Sequence, residues 1–383
     1  MNTHPLGIDL SLFPIRENLT YVNHAGTSPI PRTAADRLKQ FADEVSGHAS
    51  SVYDQWTLGL NATRASAAKL LGCDTAEVAF ARSTTAGLNL VALGIDWKPG
   101  DVIVAEEKTF PANWIGWRDI AGGRGAELWS WPEHADYKYH LEDLEARLKQ
   151  GGVRLVAATS ANFATGFRQD MEAVGKLCKQ YDALLCVDAI QTLGVFPLDV
   201  KKCHIDFLAA DSHKWLMGPE GAGIFYVAKE RLEMIDPALV GWMGRRNFGQ
   251  YEKMDHPPDP TARRFEEGSP NVAGTLAMGE SLRFLLETGI DRIAVHNQSI
   301  CRVLREGLVD LGWSVATPAA ADCSASIIAA HRPGVDSQAT ASAMWKEGKV
   351  WAAARRGFLR ISPHVYQTED DMRHILETVK KVM

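Results

Sequence analysis

From residue 76 onward, short apolar runs alternate with longer amphipathic stretches. Unbroken apolar runs such as "ALLCV" (183–187) are typical of strands covered on both faces of a sheet. Alternation of strands with helices predicts a mostly parallel α/β sheet. The predicted strands span 77–81, 101–106, 126–131, 154–160, 183–189, 205–211 and 222–227, with helices at 85–94, 111–121, 140–150 and 170–181 between most of them.

The pattern changes after the polar, proline-bearing stretch "YEKMDHPPDPTARR" (251–264), which predicts a linker or surface loop. Two long helices are predicted next, then short strands and a last helix, and this order is typical of a smaller α+β unit. We therefore predict a large domain over 15–255 and a small C-terminal α+β domain over 256–383. The elements in question are helices at 272–288 and 291–311, strands at 313–317, 325–330 and 358–362, and a helix from Glu369. N-terminal helices at 31–47 and 56–71 are free to pack on either domain.

The amino-acid composition argues against several classes of protein. Of 383 residues, 46% are hydrophobic and 23% are charged, as in ordinary soluble globular proteins. A net charge of −6 argues against a nucleic-acid or anionic-membrane partner, and no run of 18 apolar residues predicts a membrane span. The N-terminus lacks a signal-peptide pattern. Six scattered cysteines without a CxxC pair predict free thiols in a cytoplasmic protein and no metal site.

Two charged side chains follow consecutive predicted strands. Asp188 ends the run "LLCVD", and Lys214 stands in "DSHKW" after the next strand. Ligands of open α/β sheets bind at the carboxyl ends of the strands. Taken singly, Asp188 fits a helix N-cap and Lys214 a lysine that extends to solvent. Together they fit pyridoxal phosphate, because its aldehyde forms a Schiff base with lysine and its ring nitrogen pairs with an aspartate.

Such a cofactor also needs a phosphate site and a stacking partner. Ser83, Thr84 and Thr85 follow a predicted strand and open a helix, where hydroxyls and free amides bind phosphate well. Simple N-capping predicts one hydroxyl at this place, whereas three are present. Phe110, after the next strand, is placed to cover the ring, although a lone aromatic side chain more commonly belongs to a core.

Five segments in order, "RSTTAGLN", "VDAIQT", "DSHKW..GPEGAG", "FEEGSPNVAG" and "LRISPHVYQTEDD", resemble the class V aminotransferase family of fold-type I pyridoxal-phosphate enzymes. That family includes cysteine desulfurases, selenocysteine lyases, kynureninases and isopenicillin N epimerase-like proteins. The resemblance extends from "YVNHAGTSPIPR" (21–32) to the last helix. It implies a large domain with a mostly parallel sheet, a small C-terminal α+β domain, pyridoxal 5′-phosphate as cofactor, and a homodimer with shared active sites.

The resemblance also implies roles for individual residues. Lys214 carries the cofactor, and Arg360 clamps the α-carboxylate of the substrate, a task suited to a bidentate guanidinium. The remaining cofactor-binding roles are these: His213 near the cofactor, Asp188 on the pyridine nitrogen, Gln191 on the phenolic oxygen, Thr84 and Thr85 on the phosphate, Phe110 on the ring face, Asn162 near the ring oxygen, and Ser269 on the phosphate of the neighbouring subunit.

The chain departs from the desulfurase pattern in three places. Phe110 stands where desulfurases have a stacking histidine, and it cannot transfer a proton as histidine could. Asp211 and Ser212 stand where desulfurases have Ser-Gly before His-Lys, and because an aspartate is a poor phosphate ligand, Asp211 is expected to point away or to meet a cation. The region "KVWAAARRGFLR" (349–360) has no nucleophilic cysteine, and Cys323 is predicted to be structural. This argues against persulfide-forming desulfurase chemistry.

These features predict an enzyme that acts at Cα of an amino acid, first as an aminotransferase. A β-eliminating lyase acting on C–S or related bonds and an isopenicillin N epimerase-like epimerase are the alternatives. The adjacent pair Arg355 and Arg356 binds a second acidic group of the substrate or faces solvent. A nucleotide loop at "GPEGAG" (218–223) is disfavoured because an apolar run follows it, not a helix. A catalytically silent binding protein is disfavoured by the intact Lys214 and Asp188.

Overall fold

The computed structural model describes residues 4–383. Within this range the chain forms thirteen strands and ten α-helices. The strands are β1 Thr20–Tyr21, β2 Val78–Ala81, β3 Val102–Glu106, β4 Glu127–Trp131, β5 Val153–Thr159, β6 Leu184–Asp188, β7 Phe207–Asp211, β8 Gly223–Val227, β9 Ser314–Val315, β10 Ile328–His331, β11 Val350–Trp351, β12 Ala353–Arg355 and β13 Phe358–Ile361. The helices are α1 Arg32–His48, α2 Tyr53–Leu71, α3 Thr84–Gly94, α4 Ala112–Gly116, α5 Leu141–Lys149, α6 Met171–Gln180, α7 Val272–Thr288, α8 Ile290–Asp310, α9 Ser337–Gly348 and α10 Glu369–Val382.

A seven-stranded sheet in the order β2-β8-β7-β6-β5-β3-β4 forms the centre of the molecule. Adjacent strands from β7 to β4 in this order pair in parallel, whereas β8 runs antiparallel to both β7 and β2. All seven strands predicted before residue 228 belong to this sheet. Every residue of β3, β6, β7 and β8 is buried, which explains their unbroken apolar sequences. The predicted α/β fold with a mostly parallel sheet is confirmed.

The sheet is covered on both faces. Successive residues of β5 alternate between two hydrophobic clusters, because side chains along a strand point to opposite faces. Val156 packs with residues of α2, α5, α6 and α7, and Leu155 packs with residues of α3. The sheet therefore leaves only its edges and strand ends for binding, and its carboxyl edge is the relevant one for function.

The C-terminal part forms a four-stranded antiparallel sheet in the order β12-β13-β10-β9. Its hydrophobic cluster includes residues of α8, α9 and α10. Helix α9 is not predicted from the sequence, because "SQATASAMWKEG" offers mainly small residues to the core. Its buried positions include Thr340, Ala341 and Met344, a helical spacing without an obvious apolar stripe.

The N-terminal segment joins this C-terminal part. Strand β1 pairs in parallel with β11, Asn23 bridges to Ser362, and Val22 packs in the same cluster as α8 and α10. Conversely, α7 contributes Met278 and Leu282 to the core beneath the seven-stranded sheet. The domain division between residues 255 and 256 stays a prediction.

The predicted loop at 251–264 is exposed in its first part, as expected, but not in its last. Residues Ala262–Phe265 form a short 3-10 helix in which Arg264 and Phe265 are buried. Arg264 is tolerated there because its guanidinium donates to the carbonyl oxygens of Asp259 and Leu232, at 2.8 and 2.9 Å.

Two features bear on location. All six cysteines are free within the described residues. No helix in residues 4–383 is both long and apolar enough to cross a bilayer. Location in the cytoplasm and the absence of a nucleic-acid partner stay predictions.

A buried ion pair ties α2 to the segment before α7. Arg64 donates to the two carboxylate oxygens of Glu266 at 2.7 and 3.1 Å, and to the carbonyl of Val78. The Phe80 amide donates to the same carboxylate at 2.8 Å. Because both charged groups are more than nine-tenths buried, each depends on the other for its charge balance.

We expect Glu266→Gln to lower the free energy of unfolding by about 3 kcal/mol, because it leaves the Arg64 guanidinium buried without a carboxylate. Urea denaturation measures this value. The control Glu369→Gln removes an exposed partner of Arg373, so it costs less than about 1 kcal/mol. Equal losses in the two variants contradict the assignment.

Candidate active site

A cavity of about 350 Å³ lies at the carboxyl edge of the seven-stranded sheet. Segments that follow five of its strands meet there with β12, β13 and the chain after β1. The lining residues are Asn23, Ala25, Gly26, Thr27, Ser83, Thr84, Thr85, Phe110, Ala112, Phe163, Asp188, Ile190, Gln191, Asp211, His213, Lys214, Arg355 and Arg360. Eight of the predicted site residues are thus brought together: Thr84, Thr85, Phe110, Asp188, Gln191, His213, Lys214 and Arg360.

Lys214 lies three residues beyond the end of β7 in a tight turn, where the Met217 amide donates to its carbonyl at 3.0 Å. A Cβ at Gly218 would lie 2.4 Å from the Ser212 hydroxyl, so only glycine lets the chain turn this closely. The glycine-rich stretch is therefore a turn into β8. Burial lowers the pKa of the Lys214 amine to about 8, although the Asp188 carboxylate acts in the opposite direction.

Asp188 is the last residue of β6 and is buried. One carboxylate oxygen accepts from the Ile190 amide at 3.1 Å. Burial raises the pKa of Asp188 to about 6, against the effects of that amide and of Lys214. The group is consequently ionised at neutral pH and suited to a protonated ring nitrogen.

Gln191 connects three parts of the site. Its amide nitrogen donates to the carbonyl of Ala25 at 3.1 Å, and its oxygen accepts from the Trp215 indole at 2.9 Å. The residue after Lys214 and the N-terminal segment are thereby held on the same side chain. One N–H of Gln191 remains for an oxygen acceptor in the cavity.

The N-terminus of α3 opens on the cavity. The Ser83 hydroxyl caps the helix by accepting from the Ala86 amide at 3.1 Å, and the Thr84 hydroxyl accepts from the Asp211 amide at 2.9 Å. The first amides of a helix have no acceptor within the helix. Since Thr84 and Thr85 both line the cavity, this end of α3 fits a phosphate.

Asp211 meets an imidazole, which accounts for its place in "DSHK". One of its carboxylate oxygens lies 2.9 Å from Nδ1 of His213, and the other accepts from the Ser212 amide at 2.8 Å. The sequence left open whether Asp211 points away or meets a cation. The carboxylate thus accepts from the turn that carries Lys214 and lies beside the His213 ring in the cavity wall.

Phe110 faces Lys214 across the cavity. Its ring centroid is 5.4 Å from Nζ of Lys214, and Phe163 packs edge-on against it at 5.4 Å between centroids. Phe110 is 44% exposed, so it is not part of the core. An aromatic wall opposite the amine suits a planar ring.

Arg360 lies on β13 and is 1% exposed. It donates to the Asn23 side chain and to the Phe163 carbonyl, both at 2.8 Å. Its Nε has no partner among the described residues. Burial, assisted by the positive charge of Arg355, lowers the pKa of Arg360 to about 9. A desolvated guanidinium on a cavity wall is suited to a carboxylate.

Two predicted residues lie outside this lining. The Asn162 oxygen accepts from the amides of Ala164 and Thr165, and its nitrogen donates to the Tyr139 hydroxyl at 3.3 Å. Ser269 lies in a separate groove that Arg82 and other residues line. Their predicted cofactor contacts stay predictions.

Four further residues that were not predicted from the sequence line the cavity: Asn23, Ala25, Thr27 and Phe163. The available signal was the short polar and small-residue run "NHAGTS" (23–28), which falls within the resemblance to the family. No cysteine lines the cavity among residues 4–383. Cys323 is partly buried and donates to the Ala320 carbonyl, at 3.6 Å.

The fold and the cavity together place a buried lysine amine, the N-terminus of a helix and a buried guanidinium at one edge of an α/β sheet. The chain matches Aminotransferase class-V over residues 20–374, and it belongs to that family. The predicted family is thus confirmed, and so is pyridoxal phosphate, the cofactor of the family.

Known proteins agree with this assignment. The chain is 27% identical to a probable cysteine desulfurase of Pyrococcus abyssi, covering 97% of this chain and 96% of that protein. It is 26% identical to isopenicillin N epimerase of Streptomyces clavuligerus, covering 94% and 93%. A solved structure of a C-DES variant with glycine covalently linked to its pyridoxal-phosphate cofactor has a TM-score of 0.86 at 20% identity, covering 97% and 99%, and shows the shared fold.

We expect the Lys214 amine of the cofactor-free protein to be acylated with a midpoint near pH 8, because its lowered pKa makes it neutral there. Peptide mass spectrometry after brief acetic anhydride treatment measures the midpoint. Asp188→Asn removes the carboxylate that raises the pKa, so it shifts the midpoint to lower pH. The exposed control Glu369→Gln leaves the pH midpoint of Lys214 acylation unchanged. A midpoint above pH 10 refutes the assignment.

Proposed function

We propose that the protein is a pyridoxal-phosphate enzyme that acts at Cα of an α-amino acid, and that its reaction is transamination. One observation carries the proposal. A buried lysine amine with a lowered pKa shares one cavity with a buried carboxylate, an aromatic wall and a buried guanidinium: Lys214, Asp188, Phe110 and Arg360.

The residues present fit the cofactor. When bound, pyridoxal phosphate holds the substrate nitrogen, takes up the electron pair of the broken Cα–H bond and carries the amino group to a 2-oxo acid. Thr84, Thr85 and the N-terminus of α3 would hold its phosphate, and Asp188 its ring nitrogen. Gln191 would donate to its phenolic oxygen, and Phe110 would cover its ring.

Lys214 is the residue that transfers the Cα proton. Near pH 8 about half of its amine is neutral, so Nζ can accept the Cα proton and return it. Arg360 holds the α-carboxylate and thereby orients the Cα–H bond. Phe110 forms the wall opposite Lys214, and its side chain has no group that could donate or accept a proton. Epimerisation by two bases on opposite faces is therefore disfavoured.

A β-eliminating C–S lyase is the second candidate. It is favoured by the name of the Pyrococcus abyssi relative, a probable cysteine desulfurase. Elimination requires the same removal of the Cα proton and a leaving group on the β-carbon of the substrate. Because no described cysteine lines the cavity, a persulfide on this protein is not part of the proposal.

We expect borohydride to fix the cofactor on Lys214 and amino acids to be converted to 2-oxo acids when a 2-oxo acid acceptor is present. Lys214→Ala lowers turnover by at least about 100-fold through loss of the base. Mass spectrometry of the reduced peptide and of the products measures both effects. The exposed Lys380→Ala serves as control. Sulfide release without new amino acid favours the lyase, and turnover by Lys214→Ala at the normal rate rules out both reactions.

We propose a homodimer in which Ser269 contacts the phosphate in the neighbouring subunit. Its support is the position of Ser269 in an open, largely apolar groove of about 340 Å³, away from the cavity of its own subunit.

Analytical ultracentrifugation is expected to give a dimer, and Ser269→Ala to weaken cofactor retention because one phosphate ligand is lost. The exposed control Ser342→Ala leaves retention unchanged. A monomer that retains cofactor normally is inconsistent with this assembly.

A further inference from the structure

The two adjacent arginines of "ARRG" (354–357) have different surroundings. Arg356 donates to both oxygens of Glu133 at 2.6 and 2.8 Å, and the Glu133 carboxylate is 2% exposed. Arg355 donates only to the carbonyl of Ala354, and no carboxylate among residues 4–383 lies within ion-pair distance of it. Arg356 thus has a structural partner, whereas Arg355 is exposed and has no carboxylate in direct contact within the described residues.

Arg355 also has the better position for binding. It ends β12 and lines the cavity together with Lys214 and Arg360, whereas Arg356 does not line it. Strand β12 pairs with β13 in a hairpin, so the strand that places Arg360 also fixes the backbone of Arg355. Residue 356 turns the chain with a φ of 51°, and the side chains of Arg355 and Arg356 contact different partners.

Without cofactor, the basic side chains of the cavity outnumber its carboxylates by one. Three basic side chains, Lys214, Arg355 and Arg360, face the carboxylates of Asp188 and Asp211. Asp211 already lies against His213. The positive charge of Arg355 lowers the pKa of both Arg360 and Lys214, so its field reaches the two groups that handle the substrate. An anion bound beside Arg355 reduces the electrostatic repulsion between Arg355 and the other two basic groups, Lys214 and Arg360.

We propose that Arg355 binds a second anionic group of the substrate, so that the enzyme acts on α-amino acids with a side-chain carboxylate. This inference rests on the proposed function, in which Arg360 holds the α-carboxylate. It also gives the reaction a matching acceptor class, since a dicarboxylic 2-oxo acid presents the same two anionic groups to the same two arginines.

The test compares the loaded enzyme on aspartate, glutamate and 2-aminoadipate with asparagine, glutamine and alanine. We expect kcat/KM to favour at least one acidic amino acid over its neutral counterpart by about 10-fold or more, the value of a charge-assisted contact. Arg355→Gln lowers this ratio by about 10-fold or more. The matched control Arg356→Gln keeps it, because the Arg356 side chain is outside the cavity.

Binding is measured separately with 2-methylaspartate and 2-methylglutamate, which have no Cα hydrogen. Calorimetry is expected to show tighter binding of at least one of them than of 2-methylalanine, and a loss of that advantage in Arg355→Gln but not in Arg356→Gln. Equal binding and equal kcat/KM for acidic and neutral amino acids overturn the inference while leaving the proposed function intact. Failure of the proposed function is recognised differently, by the absence of cofactor on Lys214 and of product from every amino acid.

Discussion

Burial of an amine and a carboxylate at the ends of neighbouring strands is the constraint on which the rest of the structure depends. Lys214 and Asp188 are both more than nine-tenths buried, and each partly offsets the cost of burying the other. Parallel pairing of β6 with β7 brings their carboxyl ends together. The cost of desolvation is also what makes the lysine useful, because it brings the pKa of the amine close to neutral pH.

The walls around this pair come from both ends of the chain. His24 hydrogen-bonds the Tyr366 hydroxyl at 2.9 Å, and His364 contacts the Trp215 carbonyl at 3.0 Å, next to Lys214. Burial lowers the pKa of His364 to about 4, so it is neutral at physiological pH. These aromatic and imidazole rings fill the space beneath the lysine turn without adding charge. The interior behind the site is consequently polar enough to satisfy backbone groups and rigid enough to fix Lys214.

Much of this could be predicted from the sequence because it depends on local patterns. Buried strands have apolar sequences, and a charged residue at the end of such a run or shortly after it marks a strand end, which is why the sequence predicts Asp188 and Lys214 as site residues. Contacts between distant segments leave no local pattern. The roles of Asn23 and Phe163 in holding Arg360, the pairing of β1 with β11, and the different surroundings of Arg355 and Arg356 depend on tertiary packing. Helix α9 was missed since small buried residues give weak periodicity.

The contact between Asn23 and Arg360 spans 337 positions in the sequence. A chain still being synthesised can complete the seven-stranded sheet, with Lys214 and Asp188 in place, before β13 exists. It cannot yet position the Arg360 guanidinium, because Arg360 and the strands beside it are made near the end. The binding site is therefore the last part of the molecule to mature, and a truncated chain that keeps the large sheet would expose a reactive amine without the means to select what reaches it.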